Sequence, residues 1–165
     1  MYEVNNTKRN KYYYGDLLEP IDLMEVLIVE DNLADARLII EAFDGFAVKH
    51  NINVVENGVE ATDYLFKKGK YKDSKTPHLI LLDLNLPLKD GRAVLKEVKN
   101  DEKLRLIPVI ILTTSQNEDD VCEAYKNYAN AYISKPTDFE EFERVVNIFE
   151  EFWFKMALLP RCGID

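Results

Sequence analysis

The chain has 165 residues, 47% of them hydrophobic and 31% charged, with 21 Lys and Arg against 30 Asp and Glu for a formal net charge of -9. That length suits one domain with a real core, and the composition is that of a packed globular protein rather than a disordered or membrane one. The negative balance argues against nucleic acid or an anionic membrane as a partner; the two cysteines, Cys122 and Cys162, lack a CxxC spacing and read as reduced thiols in a cytoplasmic protein.

Residues 1–22, in which Asn5, Asn6, Lys8, Arg9 and Asn10 precede Tyr12, Tyr13 and Tyr14, hold no sustained period and read as a flexible N-terminal extension without an export signal. Residues 23–155 read as the folded domain and 156–165 as a C-terminal tail. Within the domain, short β-rich apolar runs alternate with amphipathic stretches, the mark of strands and helices in a parallel sheet. In chain order the predicted elements are a strand at Val26–Val29, a helix at Leu33–Phe43, a strand at Ile52–Val55, a helix at Val59–Lys68 and a strand at Leu79–Leu82. A helix at Ala93–Lys99, a strand at Val109–Leu112, a helix at Asp119–Tyr128 and a strand at Ala131–Ile133 follow. Most strands are apolar on successive residues, as expected where helices cover both sheet faces. A last helix starts near Asp138, whose carboxylate can cap it, and Phe139, Phe142, Val145, Val146, Phe149 and Trp153 should form its sheet-facing stripe. No segment approaches the ~18 to 20 consecutive apolar residues of a membrane span.

In a doubly wound parallel sheet, function collects beyond the carboxyl ends of the strands. Just past the predicted runs stand Glu30 and Asp31, then Asp83, then Thr113, Thr114 and Ser115, then Ser134, Lys135 and Pro136. Singly these have bland readings: an acidic residue past a strand caps a helix, Thr113 ends a strand, and Lys135 is a surface charge. Asp83 is harder to dismiss, because it directly follows Leu79-Ile80-Leu81-Leu82, where an unpaired charge is costly. Three carboxylates on one rim need a neutralising cation, and an oxygen ligand set suits magnesium. A lysine and a hydroxyl beside them would complete a setting for a phosphoryl group on a carboxylate.

These residues lie in VLIVEDN, LILLDLNLPLKDG, VIILTTS and AYISKP, with Thr113 at 30 and Lys135 at 52 residues after Asp83. The chain from about residue 22 to 154 resembles the receiver domain of two-component response regulators. The DLNLPxKDGR loop through Arg92, the LTTS turn, Phe152-Trp153 and Leu159-Pro160 resemble the single-domain type associated with cyanobacterial phytochromes. The resemblance implies a flavodoxin-like α/β fold, five parallel strands in the order 2-1-3-4-5. It also implies that Asp83 accepts a phosphoryl group from a histidine kinase or histidine phosphotransfer protein, with Mg2+ held by Asp31, Asp83 and the backbone carbonyl of Asn85, and by Glu30 through water. Lys135 would pair with a phosphate oxygen, Thr113 would donate to another, and Tyr132 would swing into the space Thr113 leaves. A cis bond between Lys135 and Pro136 is implied as well.

Such a protein is a stand-alone switch that promotes its own phosphorylation and dephosphorylation but is not otherwise an enzyme. About ten residues follow Lys155, too few for a DNA-reading module, so the signal is expected to pass by protein contact. The apolar Phe152, Trp153, Phe154 and Met156 either cover neighbouring parts of the same chain or form a homodimer or partner patch. Two other readings fit the same residues: a receiver-like scaffold that works without phosphate, and a haloacid-dehalogenase-type phosphatase. The phosphatase wants a second Asp two residues after the nucleophile, where this chain has Asn85.

Overall fold

The computed structural model describes residues 23–160; the expected extension at 1–22, Cys162 and the end of the expected tail lie outside the described residues. Five strands, β1 (Met24–Val29), β2 (His50–Val55), β3 (Leu79–Leu82), β4 (Val109–Thr113) and β5 (Ala131–Ser134), form one parallel sheet in the order β2-β1-β3-β4-β5. The helices between and after them are α1 (Leu33–Phe43), α2 (Gly58–Leu65), α3 (Gly91–Asn100), α4 (Glu118–Lys126) and α5 (Phe139–Phe149).

Side chains alternate across a strand, so a run buried on both sides splits its residues between two cores. Leu27, Val29, Ile80, Leu82, Val109 and Ile111 face α2, α3 and α4 through Ala61, Leu65, Val94, Val98 and Ala124. Val26, Ile28, Leu79, Leu81, Ile110 and Leu112 face α1 and α5 through Ile39, Phe43, Phe142, Val146 and Phe149. Each of the five α-helices starts on a side-chain cap: Asn32, Asn57, Asp90, Asn117 and Asp138 all accept from backbone N–H groups two or three residues on.

The predicted elements are present, with shifted ends. Helix α2 stops at Leu65 rather than Lys68 because Lys67 turns into the left-handed region at φ 55. Tyr128, at φ 64, likewise lies beyond the end of α4. On α5 the predicted stripe holds for Phe142, Val146 and Phe149, but Phe139 is 61% exposed, because the first residue of the helix overhangs the sheet. The chain then continues as a π-helix at Glu150–Met156, which rotates the face presented to the core. Phe154 thereby packs on Phe43, Phe46 and Phe149, while Phe152 and Met156 stay exposed. Within this segment the buried Glu150 accepts from the Ala47 N–H at 2.9 Å and pairs with Lys155 at 3.3 Å.

Candidate functional site

The sheet ladder delivers the site residues to one rim. The Glu30 N–H donates to the Val55 carbonyl at 3.0 Å and the Asp83 N–H to the Val29 carbonyl at 3.0 Å, so the residues just past β1 and β3 are fixed by the ladder itself. The Lys135 N–H donates to the Thr113 carbonyl at 2.8 Å and extends the β4 and β5 pairing by one residue. Gly91 closes the loop after β3: its N–H donates to the Leu84 carbonyl at 2.9 Å, and a Cβ there would stand 2.1 Å from the Asp83 carbonyl oxygen. Only glycine lets the start of α3 approach the backbone of Asp83 so closely.

Oxygen atoms of Glu30, Asp31 and Asp83 all lie within 4.8 Å of one another. Glu30 and Asp83 are buried and Asp31 is exposed, so the cluster opens to solvent on one side. The Lys135 ammonium reaches into it, donating to Asp83 Oδ2 at 2.8 Å, to Asp35 Oδ2 at 3.0 Å and to Glu30 Oε2. Glu30 Oε1 also accepts from the Asn32 N–H at 3.0 Å, and Asp83 Oδ1 from the Asn85 N–H at 3.0 Å.

Burial pushes the Glu30 carboxyl above its usual range, against the pull of Lys135. Burial alone would lower the Lys135 ammonium, but its hydrogen bonds to Asp83, Glu30 and Asp35 outweigh it and hold the group above its ordinary value. Three carboxylates, Glu30, Asp35 and Asp83, share the one ammonium and Asp31 stands beside them, and the surplus negative charge around the oxygen cluster suits a divalent cation.

Thr113 is fully buried at the end of β4, and its Oγ1 accepts from the Ser115 N–H at 3.4 Å. Tyr132 is half-buried against the core beneath α2, α3 and α4, and its hydroxyl donates to the Ser115 carbonyl at 3.0 Å. Asn85 is exposed and joins the site through its backbone.

The expected cis bond at Lys135–Pro136 is corrected: no cis peptide occurs among the described residues. The trans isomer is favoured before proline by about 0.5–1 kcal/mol, and the ladder bond of Lys135 is made without the rarer form. Asp35, missed in the sequence, is a ligand of Lys135. Its only local signal is its place three residues after the cap Asn32, where an acidic residue reads as helix-end chemistry.

Comparison with known proteins decides the family: residues 26–147 match the response regulator receiver domain. The chain belongs to that family. This receiver is 42% identical over 135 residues to response regulator Rcp1 of Synechocystis sp., covering 82% of the chain and 92% of the relative. It is 42% identical over 139 residues to the probable methanogenesis regulatory protein FilR2 of Methanothrix harundinacea, covering 84% and 89%. Among solved structures, the phosphorylated cyanobacterial phytochrome response regulator RcpA is similar at 47% identity and a TM-score of 0.81, covering 83% of this chain and 98% of that one. The Mn2+-bound form of Rcp1 is similar at 42% identity and a TM-score of 0.81, covering 83% and 99%.

Proposed function

We propose that this receiver takes a phosphoryl group onto Asp83 from the phosphohistidine of a histidine kinase or histidine phosphotransfer protein. A carboxylate oxygen of Asp83 attacks phosphorus, the P–N bond to histidine breaks, and an acyl phosphate forms. The observation that carries this reading is the buried Asp83 carboxylate, held by Lys135 at 2.8 Å and the Asn85 N–H at 3.0 Å beside the acidic cluster. Lys135 orients the acceptor and balances the incoming charge, and Thr113 and Tyr132 report the change through the Ser115 turn. Mg2+ is the cation we assign to Glu30, Asp31, Asp83 and the Asn85 backbone, where it would neutralise charge on the transferring group. The chain would promote only its own phosphorylation and dephosphorylation.

The signal leaves by protein contact. The exposed Ile148, Phe152, Met156 and Leu158 support association with a second copy or another protein at this end of the molecule, and sedimentation with and without a phosphoryl mimic tests the homodimer. We assign the chain to the cytoplasm as part of this reading; among the described residues Cys122 is a free thiol, and no described helix is long and apolar enough to cross a membrane. The decisive experiment is phosphoryl incorporation from a small acyl phosphate with Mg2+. Wild type should label and Asp83→Asn should not; an unlabelled wild type would favour the phosphate-independent scaffold.

A further inference from the structure

One polar network outside the acidic cluster connects the start of α3 to the turn after β4. The Arg92 guanidinium holds Asp120 Oδ1 through Nε at 3.1 Å and Nη2 at 2.6 Å, and turns Nη1 to Asp90 at 3.0 Å. On the far side, Asp120 Oδ2 accepts the Ser115 hydroxyl at 2.6 Å. Ser115 is then bound on every polar group. Its Oγ accepts from the Asn117 N–H at 3.3 Å, its N–H reaches Thr113 Oγ1 at 3.4 Å, and its carbonyl takes the Tyr132 hydroxyl at 3.0 Å. Arg92 and Asp120 side chains are only 24% and 19% exposed, so their pairing is less screened than a surface ion pair. Ser115 and Arg92 together hold the Asp120 carboxyl below its usual range.

We propose that Arg92 is a positioning residue: through Asp120 it tethers Ser115, and with it Thr113 and Tyr132, in the arrangement that disfavours the phosphorylated state. This rests on the reading of Asp83 as phosphoryl acceptor. Turning toward a phosphoryl group on Asp83, the Thr113 hydroxyl gives up the Ser115 N–H it holds at 3.4 Å; in the proposed switch the Ser115 turn follows it, which pulls Ser115 Oγ away from Asp120. Arg92 is fixed at the other end, because Gly91 beside it packs on the Asp83 carbonyl. Two states linked to one ligand are coupled, so whatever loosens the tether tightens binding of the phosphoryl group by at most the same factor.

The test is binding of beryllofluoride with Mg2+ to the full chain, read by the amide signals of Thr113 and Ser115, alongside amide hydrogen exchange of residues 113–117 without ligand. Arg92→Ala should bind the mimic several-fold more tightly and exchange faster at Ser115 and Asn117, with Mg2+ affinity alone unchanged. A local charge effect runs the other way, since losing a cation weakens binding of an anion. Asp120→Asn should act in the same direction, and Arg92→Lys should restore part of the wild-type behaviour. Unchanged or weaker mimic binding by Arg92→Ala, with wild type binding normally, overturns the tether. Failure of wild type to bind in an Asp83-dependent way overturns the acceptor reading instead, and the regulatory role with it.

Discussion

Lys135 has three N–H donors and gives one each to Glu30, Asp83 and Asp35. Glu30 is 2% exposed, so removing the ammonium leaves a buried carboxylate facing Asp83 with no opposite charge. Lys135→Met should therefore destabilise the fold by about 3–5 kcal/mol in chelator, the usual cost of orphaning a buried partner. Added Mg2+ should recover part of that loss, because the cation replaces the missing charge; urea titrations with and without the metal check both. The raised Glu30 carboxyl sets the pH dependence. A proton held more tightly than usual competes with the metal, so on acidification Mg2+ affinity should begin to fall at a pH above the ordinary carboxylate range. In Glu30→Gln the affinity should be weaker and its pH slope shallower in a calorimetric titration.

The loop from β3 to α3 carries two backbone requirements. At Gly91 a methyl group would meet the Asp83 carbonyl, and since that contact is backbone on both sides neither can yield cheaply. Gly91→Ala should lower stability by about 1–3 kcal/mol as an overpacked site, and should also slow phosphoryl incorporation by displacing Asp83. Leu88 is the opposite case: at φ 64 it holds a left-handed conformation while its side chain is 83% exposed. Leu88→Gly should stabilise the protein by about 1 kcal/mol by removing that strain, as measured by thermal unfolding. The ends of α2 and α4, by contrast, needed tertiary information. Lys67 and Tyr128 leave helical space without the glycine that would mark the stop in the sequence.

Across the whole molecule, a ligand that binds only the folded chain stabilises it by mass action. Mg2+ at one hundred times its Kd should add about 2.7 kcal/mol, raising Tm in wild type. Asp83→Asn should show a smaller rise, and EDTA should abolish it. The sequence by itself determined the sheet-and-helix alternation and the placement of Glu30, Asp31, Asp83, Thr113 and Lys135 at the strand ends. Apolar periodicity and the step from an apolar run to a charge are local, and a parallel sheet brings such ends to one rim. Only the tertiary structure decided that Asp35 joins Lys135 and that Arg92 reaches Asp120 and Ser115. It also decided that Lys135–Pro136 is trans and that Phe154 turns inward while Phe152 does not. Those outcomes depend on packing between segments far apart in the chain, and on a π-helical turn that shifts a helix face. No local pattern of residue types encodes either.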